Sequence, residues 1–184
     1  MNAEVILITG MKHSGKSVVG KALAGLSGLP FYDLDQLIED EYRKNTGRML
    51  PVREIYSAEG TEKFRRVEAD AAAAAGGISR GVIALGGGTP ENQAAMDLLA
   101  SLGTVVLLEE DPDLIYRRIE AGGIPPFLQD PVKNPREMFD ELYQRRRIIY
   151  RRCSDITFQV QGRTVDQAAE SLLAVLNNLS KEEL

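Results

Sequence analysis

What this 184-residue chain lacks narrows its chemistry before any motif is considered. It has no tryptophan, one cysteine and one histidine. A lone Cys153 excludes an internal disulfide and a cysteine-based zinc site, and it suits a half-buried small apolar residue better than a nucleophile. No apolar run approaches the ~20 residues of a membrane span, so no membrane partner is expected. Positive charge is also in deficit: 22 Lys and Arg against 27 Asp and Glu give a net charge of −5. That balance weighs against nonspecific nucleic-acid binding, although it leaves room for a locally basic pocket around a small anion. Met1-Asn2-Ala3-Glu4 leads straight into a short strand with no signal-peptide pattern, so a cytoplasmic protein is expected. Apolar residues at 43% and charged residues at 27% are typical of a soluble globular chain. The length fits one domain, residues 1–184, with a core of its own.

What is present begins with Gly10-Met11-Lys12-His13-Ser14-Gly15-Lys16-Ser17. This G-x-x-x-x-G-K-[ST] run follows the apolar Val5-Ile6-Leu7-Ile8 and opens into Val18-Val19-Gly20-Lys21-Ala22-Leu23. Strand, glycine loop and helix in that order are the context in which the pattern becomes a phosphate cradle. Its glycines let successive amide N–H groups turn inward toward an anion, and the helix N-terminus adds a positive dipole end. Lys16 can reach the β- and γ-phosphates, and the Ser17 hydroxyl can ligate Mg²⁺. The ATP-phosphate set is therefore Lys12, His13, Ser14, Gly15, Lys16 and Ser17, with His13 read as a variable loop position rather than a base.

Apolar strand-like runs recur at Val5–Thr9, Leu29–Asp33, Gly81–Leu85 and Thr104–Leu108, and a more alternating run at Asp155–Val160 suits a sheet edge. Helical patterns lie between them at Lys16–Leu26, Leu34–Lys44, Thr61–Ala75, Glu91–Leu102, Asp111–Glu120, Arg136–Arg152 and Thr164–Leu179. Continuous apolar strands alternating with helices predict a buried parallel sheet covered on both faces. Residues 121–131 carry two glycines and three prolines, which marks an irregular segment and a candidate lid, about 121–136. The last residues, Lys181 to Leu184, are expected to fray.

The end of the second strand, Phe31-Tyr32-Asp33-Leu34-Asp35, puts two carboxylates where open parallel sheets bind ligands. Either can serve a magnesium-bound water or accept a hydroxyl proton, and either can simply cap the next helix. Arg65 and Glu68 share a helix face at i, i+3, as a substrate fork with its orienting partner or as a plain surface ion pair. Gly86-Gly87-Gly88 directly after the third strand allows a ligand close to bare backbone.

The GMKHSGKS loop, FYDLDQLIE, EGTEKFRRVE, ALGGG and QRRRIIYRR, in this order, resemble the shikimate kinases, small P-loop phosphotransferases. The resemblance spans nearly the whole chain and implies a three-layer α/β P-loop kinase fold, a five-stranded parallel sheet with helices on both faces and a lid. It implies transfer of the ATP γ-phosphate to the 3-hydroxyl of shikimate, in the chorismate route to aromatic amino acids, by a monomer using Mg²⁺. Lys16 and Asp33 would then be catalytic, with Ser17 on Mg²⁺ and Asp33 reaching it through water. Asp35 would hold substrate hydroxyls, and Arg65, Gly87 and Arg146 would surround the substrate, both arginines facing its carboxylate. Arg118 would stack on adenine, and Arg163 would contact the nucleotide.

Two positions depart from that pattern. Pro125 stands where shikimate kinases carry a lid arginine that reaches the transferring phosphate, and such a cation contributes on the order of 10³ in rate. Lys133 or Arg136 later in the lid, or Lys12 in the loop, could supply the charge. Ile148 replaces a proline between Arg146 and Tyr150. Two alternatives stay open: a kinase for another hydroxylated acid, such as gluconate or a quinate-like compound, and a nucleotide-binding module with weak or lost catalysis.

Overall fold

Five strands with apolar cores set the architecture of the computed structural model, which describes residues 5–182. Met1 to Glu4 and the last two residues, where part of the expected fraying tail falls, lie outside the described residues. The elements run β1 (Val5–Thr9), α1 (Lys16–Ser27), β2 (Phe31–Asp33), α2 (Leu34–Thr46), α3 (Val52–Ala75), β3 (Gly81–Ala84), α4 (Gln93–Ala100), β4 (Thr104–Glu109), α5 (Pro112–Ala121), α6 (Pro135–Arg152), β5 (Ile156–Gln159) and α7 (Val165–Glu182). All strand pairs are parallel, in the order β2-β3-β1-β4-β5. The alternating fifth strand takes an edge, as its pattern implies, and β1 at the centre is buried along its whole length.

Helices cover both faces. On one face α2, α3 and α4 bury Ile38, Ile55, Ala71 and Leu99 against Leu7, Ile83 and Val105. On the other, α1 and α7 bury Leu23, Ala168 and Leu172 against Ile8, Val82 and Val106. A third cluster, Met11, Ile115, Leu128, Phe139 and Tyr150, joins α5, α6 and the lid to the glycine loop. The site at the strands' carboxyl ends is thus walled by three packed cores.

Local chemistry moves three expected boundaries. Leu29, expected in β2, is claimed by the end of α1: Gly28 is left-handed at φ 63° and the Leu29 N–H donates to Ala24 O at 2.9 Å. Helix α3 begins at Val52 rather than Thr61, because its chain runs through Gly60 at φ 73°, ψ 172°, a kink joining two helical pieces. The helix expected from Glu91 begins at Gln93, because a 3₁₀ turn takes Thr89–Glu91 and the Asn92 side chain caps α4.

In the lid, a 3₁₀ turn at Pro126–Leu128 drops Leu128 into the third cluster with 1% exposure. Asp130 accepts from the Val132 and Lys133 N–H groups at 2.8 and 3.0 Å, giving the segment its own turn chemistry.

Candidate active site

The donor half of the site is local backbone. Gly10 lies at φ 143°, where an added Cβ would stand 2.6 Å from Leu108 O, so only glycine lets the loop leave β1 against β4. Gly15 at φ 97° is the N-cap of α1, and His13 sits in the left-handed region at φ 68°. The Ser14 N–H donates to Met11 O at 3.1 Å, and the buried Ser14 Oγ has no partner among the described residues. Inside this cup Lys16 is 9% exposed and donates from Nζ to Met11 O at 2.7 Å. Burial pulls its pKa down to about 8 against the opposing pull of Asp35 and Asp33. Partial desolvation, then the charges of Lys12, Lys16 and Arg118, also hold the His13 pKa below its ordinary value.

Ser17 Oγ donates to Asp33 Oδ2 at 3.2 Å, so a hydroxyl and a carboxylate oxygen converge at the start of α1. Such hard oxygen donors fit Mg²⁺, which takes one or two protein oxygens and completes its shell with phosphates and water. Asp33 also caps α2, its Oδ1 accepting from the Asp35 N–H at 3.1 Å. The capping reading of Asp33 is therefore observed, with its second carboxylate oxygen left facing Ser17. Asp35 lines the adjacent cavity, where desolvation and then the Asp33 charge raise its pKa.

The acceptor half is assembled from distant side chains around a cavity of about 800 Å³. Lys12, Asp35, Arg65, Gly87 and Arg146 all line it, so the loop, α2, α3, the glycine triplet and α6 meet in one hollow. Glu68, 2% exposed, is the buried hub: it accepts from Arg65 Nη1, Thr89 Oγ1 and Asn92 Nδ2, each at 2.8 Å. Arg65 Nη1 donates also to Gly88 O at 3.0 Å, which fixes its fork beside the triplet. Arg146 comes to the same place from α6. A Cβ on Gly88 would lie 3.5 Å from Arg146 Nη2 and 3.8 Å from both Arg65 Nη atoms. At Gly86 a Cβ would strike Thr89 Oγ1 and Asp35 Oδ1 at 2.9 and 3.0 Å, and at Gly87 it would come within 3.2 Å of the Lys12 backbone N. The three glycines thus keep the cavity floor open and let the loop and triplet touch.

Arg118 reaches the glycine loop from α5, donating to His13 O at 2.8 Å and pairing with the buried Glu110 at 3.4 Å. Arg163 instead donates to Gln159 O and stacks on Phe158, after β5. Of the lid cations, Lys133 lines the cavity, whereas Arg136 is held outside it by Asp140 and Asp113 and covers the Tyr116 ring.

Several residues that line the cavity or brace its walls are not evident from motif reading. Arg53 and Tyr56 come from the unexpected first piece of α3, whose only sequence signal is Pro51 at its start. Tyr150 donates from its hydroxyl to Gly87 O at 2.6 Å and braces the triplet from beneath. Thr89 and Asn92, immediately after the glycines, are hydrogen-bonding types in a place that requires them.

A phosphate cup with a buried lysine, opening beside a hollow with paired arginines, defines a P-loop phosphotransferase for a small anionic acceptor. Comparison with known proteins makes the class particular. A family model described as shikimate kinase matches residues 12–177. The shikimate kinase of Caldanaerobacter subterraneus subsp. tengcongensis is 34% identical over 170 residues, 91% of this chain and 93% of that protein. That of Salinispora tropica is 36% identical over 174 residues, 95% and 98% of the two chains. The structure of the Acinetobacter baumannii shikimate kinase in complex with shikimate superposes with a TM-score of 0.79 at 29% identity, covering 95% of this chain and 94% of that one. The chain belongs to the shikimate kinase family.

Proposed function

We propose that this protein transfers the γ-phosphate of ATP to the 3-hydroxyl of shikimate, giving shikimate 3-phosphate and ADP. The observation that carries the assignment is the convergence of Asp35, Arg65 and Arg146 on one cavity beside the glycine loop. An acceptor carboxylate would be gripped by the Arg65 and Arg146 guanidiniums, and Asp35 would accept hydrogen bonds from ring hydroxyls. The loop N–H groups and Lys16 would hold the ATP phosphates, with Arg118 over the loop on the nucleotide side and Arg163 an outer contact.

Phosphoryl transfer asks the protein mainly for alignment and charge. Burial of Lys16 makes its ammonium an effective partner for phosphate oxygens, because little water screens it. Asp33, held by Ser17 and the Asp35 N–H, stands at the boundary between the two halves, where a carboxylate can take the attacking hydroxyl's proton. Ser17, and Asp33 through water, would hold Mg²⁺, which would supply positive charge to offset that of the ATP phosphates. Lys133 is the lid residue we assign to the charge that Pro125 lacks, because it faces the cavity and its partner Glu141 is exposed at 3.2 Å. The lid, the single-domain organisation, a monomer and a cytoplasmic setting complete the proposal; no described helix is long and apolar enough to cross a membrane.

A coupled assay of ADP release by the purified protein, with shikimate, quinate or gluconate as acceptor, tests this assignment. Saturable turnover with shikimate is expected. Turnover only with another hydroxylated acid would replace the acceptor, and ATP binding without acceptor-stimulated turnover would make the protein a nucleotide-binding module.

A further inference from the structure

The carboxylate subsite between Arg65 and Arg146 already holds a carboxylate. Glu91 Oε2 lies 2.8 Å from Arg146 Nη2 and 3.6 Å from Arg65 Nη2, and its Oε1 accepts from Arg145 Nη2 at 3.0 Å. Three guanidiniums therefore surround one side chain, and that side chain lines the acceptor cavity. Its backbone is fixed. The Glu91 N–H donates to Gly88 O at 3.0 Å, and the flanking Thr89 and Asn92 are tied to buried Glu68. The carboxylate itself rides on rotatable bonds at a half-buried position. Arg146 keeps unspent capacity, since its buried Nε has no partner among the described residues.

We propose that Glu91 is an internal competitor for the acceptor's carboxylate, and that it sets the protein's affinity for the acceptor. An incoming acid meets arginine forks that are oriented but engaged. It binds only by displacing or sharing their partner, so part of the binding energy is spent against Glu91. Charge counting gives the same sign: Arg65, Arg145 and Arg146 face Glu68 and Glu91, a local balance of +1 that becomes +2 when Glu91 is neutral. The ionised form is the relevant one at neutral pH, because Arg146 and Arg145 outweigh burial and hold the Glu91 carboxyl below its usual range. Neutral acceptors gain nothing from Glu91's removal, because they do not call on the arginines.

This inference rests on the acceptor assignment, and the test separates the two. Binding of shikimate and of its methyl ester is measured by calorimetry with ADP present, for the wild type, Glu91→Gln and Glu91→Ala. Steady-state KM values for ATP and acceptor accompany it, with thermal melts to confirm folding. Glu91→Gln keeps the shape of the side chain and guards against collapse of the turn. Both variants should bind shikimate about tenfold more tightly than the wild type, the scale of one screened charge interaction. The ester's affinity and the KM for ATP should stay within about twofold. A Glu91 that merely positions the arginines would weaken shikimate binding in both variants, or would shift acid and ester together; either result overturns the proposal. Unchanged shikimate affinity overturns it too. Absence of shikimate binding in all three proteins removes the acceptor assignment and this inference with it.

Discussion

The two halves of the site are built by opposite means. The donor half is one contiguous run, residues 10–17, whose function lies in backbone direction, with three positive φ angles and a single buried ammonium. The acceptor half sets side chains from the loop's Lys12, α2, α3, the lid and α6 around the bare backbone of the glycine triplet, residues spread from Lys12 to Arg146. Arg65 is oriented by Glu68, a buried hub that also ties Thr89 and Asn92, and Arg146 is paired with Glu91 from another element. A contiguous cup can be shared by enzymes of many acceptors. We assign acceptor specificity to the assembled hollow, because its walls at Asp35, Arg65 and Arg146 come from elements outside the loop.

The sharpest break between the halves should come from Lys16→Met. With one preorganised buried cation gone from the phosphates, kcat should fall about 10²–10³-fold in the ADP-release assay, while acceptor binding measured by calorimetry changes little. A loss under fivefold would leave the donor half without its centre. Next in size, Arg65→Ala and Arg146→Ala should each raise the acceptor KM by about 10–100-fold, the range of a charge-assisted hydrogen bond, and leave that of ATP within about twofold. Equal shifts for both substrates would erase the division.

The lid gives a smaller test. Lys133→Ala should lower kcat at least about tenfold, whereas Arg136→Ala, whose guanidinium is engaged by Asp140 and Asp113, should not lower it. If the order reverses, the lid must rearrange to bring Arg136 inward. Smallest is a pH effect confined to the donor half. Lys16, with its pKa lowered to about 8, is charged below that value and neutral above it. Its useful form is therefore lost as pH rises, and kcat/KM for ATP should decline about fourfold between pH 7 and 8.5. A profile flat to pH 10 would mean that the ammonium is held charged in the free protein.

The same contrast governs what could be read from the chain alone. Residues 10–17, the strand runs and the sheet class were legible because each rests on neighbours in sequence: alternation, glycine, a capping aspartate. The first piece of α3 was not, since Gly60 interrupts its periodicity while tertiary packing of Ile55 carries the helix through. In the acceptor half the motif residues were legible, and Asp35, Arg65, Gly87 and Arg146 do line one cavity. Their support was not: the Tyr150 brace crosses 63 positions of sequence, and Glu91 meets Arg146 across 55. Partners that far apart carry no local signal. Arg163, expected at the nucleotide, has its contacts within its own strand end, with Gln159 and Phe158.

The proposed grip of the paired arginines on the acceptor's carboxylate is tested most directly by comparing initial rates of ADP release with shikimate and with methyl shikimate, in which a methyl ester replaces that charge. The acid should give saturable turnover with kcat/KM at least about tenfold above the ester's. Equal rates for the two, or none with either, would contradict the account.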